Sequence, residues 1–193
     1  MKHLALLSAL AAFAATAQAA PVTYVIDNSH TYPHFTYNPL GFSNQTHKFD
    51  KTRGKVVLDR AGKAGSVAVI IDATSVNTGH AVFNEHIQAA DFFDTANHPT
   101  ITFMADKMAF RDDQPVSLVG DLTIKGVTKP VTLAITHFKC QPHPMLKVEA
   151  CGANATTQIK RSEFNMGKNA PFVSDEVTLT LAIEAVREQP AAQ

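Results

Sequence analysis

Tryptophan is absent from the 193 residues, and cysteine occurs only twice, as Cys140 and Cys151. Neither sign of charge is in excess, since 17 Lys and Arg balance 17 Asp and Glu. No basic field therefore recommends nucleic acid or an anionic membrane surface as a partner. A G-x-S-x-G elbow, a phosphate-cradling glycine loop and a C-x-x-C pair are also missing, which removes common signatures of serine hydrolases, nucleotide binding and thiol redox chemistry. Beyond the N-terminus no segment is apolar for long enough to cross a bilayer as a helix. What is abundant is phenylalanine, with twelve residues. It supplies apolar aromatic surface without a polar handle, most of which any fold must bury.

At the N-terminus, Lys2 and His3 precede an apolar run from Leu4 to Ala15 and the small-residue stretch Thr16 to Ala20. The run is too short for a membrane span, and Ala17 and Ala19 fit a small-x-small cleavage pattern. Residues 1–19 are thus expected to be a signal peptide, 20–188 a single domain and 189–193 a flexible tail. Export leads to an oxidising compartment, where Cys140 and Cys151 are expected to pair; closing so short a loop stabilises by roughly 3 kcal/mol.

The mature chain is dominated by a period of two, which puts successive side chains on opposite faces of a strand. Val177, Leu179, Leu181, Ile183 and Ala185 form one apolar face; Leu118, Leu122 and Ile124, and then Val131, Leu133 and Ile135, repeat the pattern. Lys125 to Thr128 reads as the hairpin turn between the latter two. Further strands are expected at 22–26, 30–38, 53–59, 66–73, 100–110 and 148–159. The exception is 79–90, where Val82, Phe83, His86, Ile87 and Ala90 recur at helical spacing, giving one short amphipathic helix. Strands in series with a single helix indicate an antiparallel barrel or sandwich, because such a sheet must hide its apolar face and its edges.

Metal ligation is not expected. His30 and His34 would lie about 13 Å apart on a strand, and His80 and His86 are poorly spaced, too far for joint ligation through bonds of about 2 Å. Glu85, Asp91 and Asp94 near His86 could serve acid–base chemistry, but the two aspartates read more simply as turn and capping residues. No catalytic residue is assigned.

Four blocks narrow the choice: HTYPHFTYNPLGFS at 30–43, SVNTGHAVFNEHIQAADFFDTANHPTITF at 75–103, LVGDLTIKGVTKPVTL at 118–133 and IKRSEFNM at 159–166. Together, in order, they resemble the YceI-like family. The resemblance implies a lipocalin-like antiparallel β-barrel of about eight strands, periplasmic, non-enzymatic, and holding a long isoprenoid lipid of the polyprenyl or ubiquinone type. A membrane-protein donor or acceptor is a candidate partner for such a cargo, and barrel proteins of this resemblance often pair, which makes a homodimer a candidate as well. Candidate channel residues in the matching blocks are Phe35, Tyr37, Phe42, Phe49, Phe83, Ile87, Phe92, Phe93, Ile101, Phe103 and Phe164. His34, His86 and Arg161 are expected at the mouth, where arginine could meet a phosphate or histidine a quinone carbonyl. Pro39, His47, the Phe83–Asn84 pair and Asn165 depart from residues common in the family.

Overall fold

The computed structural model describes residues 20–189, so the expected signal peptide and most of the expected tail lie outside the described residues. Eleven strands and one helix follow the chain: β1 Val22–Ile26, β2 His34–Tyr37, β3 Gln45–Phe49, β4 Thr52–Asp59, β5 Ala64–Asp72, β6 Val76–Asn77, α1 Ala81–Gln88, β7 Thr100–Arg111, β8 Gln114–Ile124, β9 Val127–Pro142, β10 Glu149–Lys160 and β11 Glu176–Arg187. Antiparallel pairing runs β1-β4-β5-β7-β8-β9-β10-β11 and returns to β1, closing a barrel of eight strands. Closure removes the sheet edges that would otherwise template aggregation.

The three remaining strands form a flap. One edge of β11 is shared: its C-terminal end pairs with β1, Ala185 opposite Ile26, and its N-terminal part pairs with β2, Leu179 opposite Phe35. β3 adds to β2, and β6 to β3. Between the two partners the Thr31 hydroxyl, wholly buried, donates to the Glu184 carbonyl at 3.2 Å and accepts from the Glu184 amide at 3.1 Å. This side chain replaces the ladder bonds that the chain has lost there.

The expected strand over 30–38 is accordingly shorter, starting at His34. The Asp27 carboxylate accepts from the Ser29 amide at 2.8 Å and winds Asn28–His30 into a 3-10 turn, a local bond that competes with the ladder. The helix is also trimmed at both ends relative to 79–90, because Gly79 has φ +80° and Ala89 is extended. The hairpin turn contracts to Lys125 and Gly126, both at positive φ, a geometry whose twist matches that of the flanking strands. At Gly54 any Cβ would stand 2.0 Å from the Ala68 carbonyl oxygen, so only glycine lets β4 and β5 coil this tightly.

Three irregularities reset which residues face inward. One lies on β8, where Ala109 pairs with Ser117 but Phe110 with Pro115, leaving Val116 extra; the inward face passes from Leu118 to Pro115. On β7, Ala105 pairs with Gly120 but Lys107 with Val119, leaving Asp106 extra; the inward face passes from Ile101 and Phe103 to Met108. On β9, Ile135 pairs with Ala155 but His137 with Asn154, leaving Thr136 extra; the inward face passes from Leu133 and Ile135 to Phe138. Each is a bulge that bends and twists its strand as the barrel closes.

Candidate functional site: an apolar channel through the barrel

The barrel is not filled. A cavity of about 380 Å³ follows its interior from α1 to the opposite end, in the range of small-molecule pockets. Aliphatic side chains of every barrel strand except β1 make the wall. Space is left where β10 presents Ala153 and Ala155 opposite Ile183 and Leu181. Arg161 is the only charged side chain in the lining, histidines aside, among the described residues.

The upper end is roofed by rings. Phe35 and Phe49 from the flap pack on Phe93 with centroids 5.7 and 5.4 Å away, and His86 of α1 lies 4.9 Å from Phe92. Such offset and edge-on pairs contribute about 0.5–1.5 kcal/mol each beyond their buried area. His47 is buried in this roof, with Tyr37 OH 3.2 Å from its Nε2 and Phe83 at 5.5 Å between centroids. Among the described residues its Nδ1 has no partner, and burial pushes its pKa below that of a free histidine, which favours the neutral ring. Two of the departures noted from sequence, His47 and Phe83, thus touch one another. A third, Asn165, has φ +57° at the end of the 3-10 turn Arg161–Phe164, a conformation that asparagine tolerates nearly as glycine does.

The lower end is crossed by polar groups. The buried Tyr24 hydroxyl donates to Glu149 at 2.7 Å, and Arg60 donates to the other carboxylate oxygen at 2.7 Å. Burial and the adjacent carboxylate raise the Tyr24 pKa to about 12; burial alone would raise that of Glu149, but the phenol and the guanidinium hold it low. Beside them Cys140 and Cys151, directly opposed on β9 and β10 with Cα atoms 4.1 Å apart, form the disulfide.

Phe35, Tyr37, Phe49, Phe83, Ile87, Phe92, Phe93, Ile101 and Phe103 all lie along the cavity. Two candidates do not. Phe42 is 87% exposed at the tip of the β2–β3 connection, because a tight turn at Leu40 and Gly41 throws it outward. Phe164 is buried but borders a separate crevice with Lys129 and Gln158. His34 adjoins the cavity, yet stands opposite Thr180 and Lys48, on the strand face that Phe35 does not share.

Arg161 is placed differently from the expected phosphate contact. Its Nε donates to Ser174 O at 2.8 Å, one terminal nitrogen to Lys168 O at 2.8 Å and to Met166 O, and the other to Val173 O at 2.7 Å. Four of its five N–H groups are engaged, so it organises the 161–175 loop instead of offering a free cation. The acid–base set near His86 is likewise dispersed: Asp91 pairs with Lys168, while Asp94 accepts from Asn97. Asp27, His30 and Glu184 bring ligand-type atoms within 4.8 Å of one another at the surface, but His30 Nδ1 already lies 2.9 Å from the Asp27 carboxylate.

Sequence reasoning did not name most of the aliphatic wall as lining, including Val56, Val69, Leu122, Leu133 and Leu181, because a period-two apolar face does not tell a packed core from a channel wall. In a hollow barrel the core face is the channel wall. The signal that could have found it was the pair of alanines at inward positions of β10.

The family model described as YceI-like domain matches residues 24–185. A UPF0312 protein of Ectopseudomonas mendocina is 33% identical over 174 residues, covering 89% of this chain and 91% of the relative. Protein YceI of Escherichia coli is 34% identical over 169 residues, covering 86% and 87%. Among solved structures, Burkholderia cenocepacia BcnA superposes with a TM-score of 0.71 at 26% identity, covering 83% of this chain and 99% of that one. A polyisoprenoid binding domain from Saccharophagus degradans, implicated in plant cell wall breakdown, shares the fold with a TM-score of 0.65 at 19% identity, covering 86% and 99%. A match reaching into every strand of the closed barrel, with relatives aligned over most of their own length, makes this chain a member of the YceI-like family.

Proposed function

We propose that the chain is a periplasmic carrier of a long isoprenoid-type lipid, exported by a leader at residues 1–19, and that it binds its cargo without transforming it. The observation that carries this reading is the continuous apolar cavity along the barrel axis. Hydrocarbon in such a channel is held by removal of both surfaces from water, with no hydrogen bond required. The Saccharophagus degradans neighbour, described as a polyisoprenoid binding domain, supports the same cargo class.

The tail occupies the aliphatic length of the barrel, and the head lies under α1, toward the end where Tyr37, His86 and Asn169 join His34 and Arg161 as the polar side chains of the lining. Because Arg161 is engaged by carbonyls, this end suits an uncharged head such as a quinone ring or an amide better than a phosphate. Cargo passes to or from a membrane-bound donor or acceptor. Organic extraction and mass spectrometry of the purified mature protein test the reading. An isoprenoid lipid in near-stoichiometric amount is expected; protein that remains free of lipid after exposure to lipid extracts would overturn it.

A further inference from the structure

The cavity lining reaches the outside at Pro39, Asn169 and Val173. Pro39 and Val173 form an isolated antiparallel bridge, and the Leu40 amide donates to the Phe172 carbonyl at 2.7 Å. Two loops, 38–44 and 166–173, are thereby joined side by side at the mouth. On this joined edge Leu40, Phe42 and Phe172 are 62%, 87% and 72% exposed. Leu40 has φ +58° and Gly41 +78°, with the Phe42 amide donating to Pro39 O at 3.3 Å. Leucine seldom adopts that region, which asparagine or glycine would occupy at less cost, so an apolar side chain is kept outward against local preference. Neither loop contains an acidic residue.

From this geometry we propose that the Leu40–Phe42–Phe172 rim inserts into the surface of a lipid bilayer and sets the channel mouth against the membrane from which cargo is taken. The inference rests on the carrier reading. Continuity of rim and channel decides the occupant: an isoprenoid chain is insoluble in water and resides in a bilayer, so a mouth bordered on this edge by apolar tips admits it without passage through solvent. Absence of acidic side chains keeps the rim free of repulsion from anionic headgroups. The opposite end also exposes Met145 and Leu146, but there the barrel is crossed by Tyr24, Glu149 and Arg60.

Flotation with phosphatidylcholine vesicles, with and without phosphatidylglycerol, tests this with the mature chain. Wild type is expected to float with vesicles of both compositions. The Phe42→Ser/Phe172→Ser double variant should partition at least about tenfold less, as expected for withdrawing two phenylalanines from apolar contact. Leu40→Asn should also weaken partitioning while its thermal midpoint holds or rises, because asparagine suits the left-handed turn. Met145→Ser/Leu146→Ser should partition as wild type. Failure of wild type to float, equal flotation of the rim variants, or loss only in the far-end variant would each overturn the proposal. So would a wild-type dimer that the rim substitutions dissociate without any vesicle binding, since the rim would then be a contact between chains. Lipid extracted from the same preparations separates the two readings: bound isoprenoid without flotation sinks docking alone, and flotation without any bound lipid sinks the carrier.

Discussion

His47 and Arg161 show how a single buried polar group is tolerated in opposite ways. His47 is tolerated by staying neutral. Its free ring would titrate near 6.5, and burial moves the folded ring below that. Above the unfolded value both states are neutral and stability is full; as pH falls through it, the unfolded chain takes up a proton that the folded chain refuses, so stability is lost until the folded ring itself protonates. The urea midpoint should therefore drop as pH falls through the free-ring value near 6.5, and His47→Phe should reduce that drop. An equal pH response in the variant would exclude His47 as its source. Arg161 is tolerated by saturation, since carbonyls of the loop it nucleates receive its N–H groups. Arg161→Met strands several buried acceptors and should cost at least about 3 kcal/mol in urea unfolding, given roughly 1–3 kcal/mol per unsatisfied group. A variant of wild-type stability would show that the loop has other supports.

At the scale of elements, the strands of the barrel are legible in the sequence because their inward residues alternate with polar ones. The flap is not: β3 reads Gln-Thr-His-Lys-Phe, with little apolar contrast, and exists because β2 and β6 pair with it. Nor is the phase of the long strands legible past Asp106, Val116 and Thr136, since a bulge inverts the faces without a residue type that announces it. The roof was partly legible because its phenylalanines are concentrated in recognisable blocks, whereas Phe42, of identical chemistry, is turned outward by two positive φ angles that composition does not reveal. Two elements can be tested directly. Ala155→Leu on β10 fills the bore opposite Leu181 and should reduce bound lipid at least severalfold with little change in unfolding midpoint; unchanged lipid content would place the cargo elsewhere. Cys151→Ser opens the β9–β10 bridge and should lower stability by about 2–5 kcal/mol, measured in urea without reductant.

For the whole molecule, a channel that works by burial should respond to cargo length more than to salt. With isoprenoids of one head group differing by single units, each unit should tighten binding by up to about 1.5 kcal/mol, from about 0.3 kcal/mol per heavy atom, until the bore is full. Raised ionic strength should leave affinity unchanged or slightly stronger, since screening acts on exposed charges and not on hydrocarbon. Affinity that ignored length and collapsed in salt would identify an anion site instead. The seam on β11 adds a matter of timing. The barrel shuts by joining residues near 25 to residues near 186, and the flap attaches through the same last strand. A chain that emerges N-terminus first at about 5–20 residues per second must hold β1 and β2 waiting for roughly 7 to 30 seconds until β11 arrives. Hairpins such as β7–β8 and β8–β9 can form as they appear, but the bore, its roof and its mouth come into being together, only when synthesis or passage across a membrane has delivered β11.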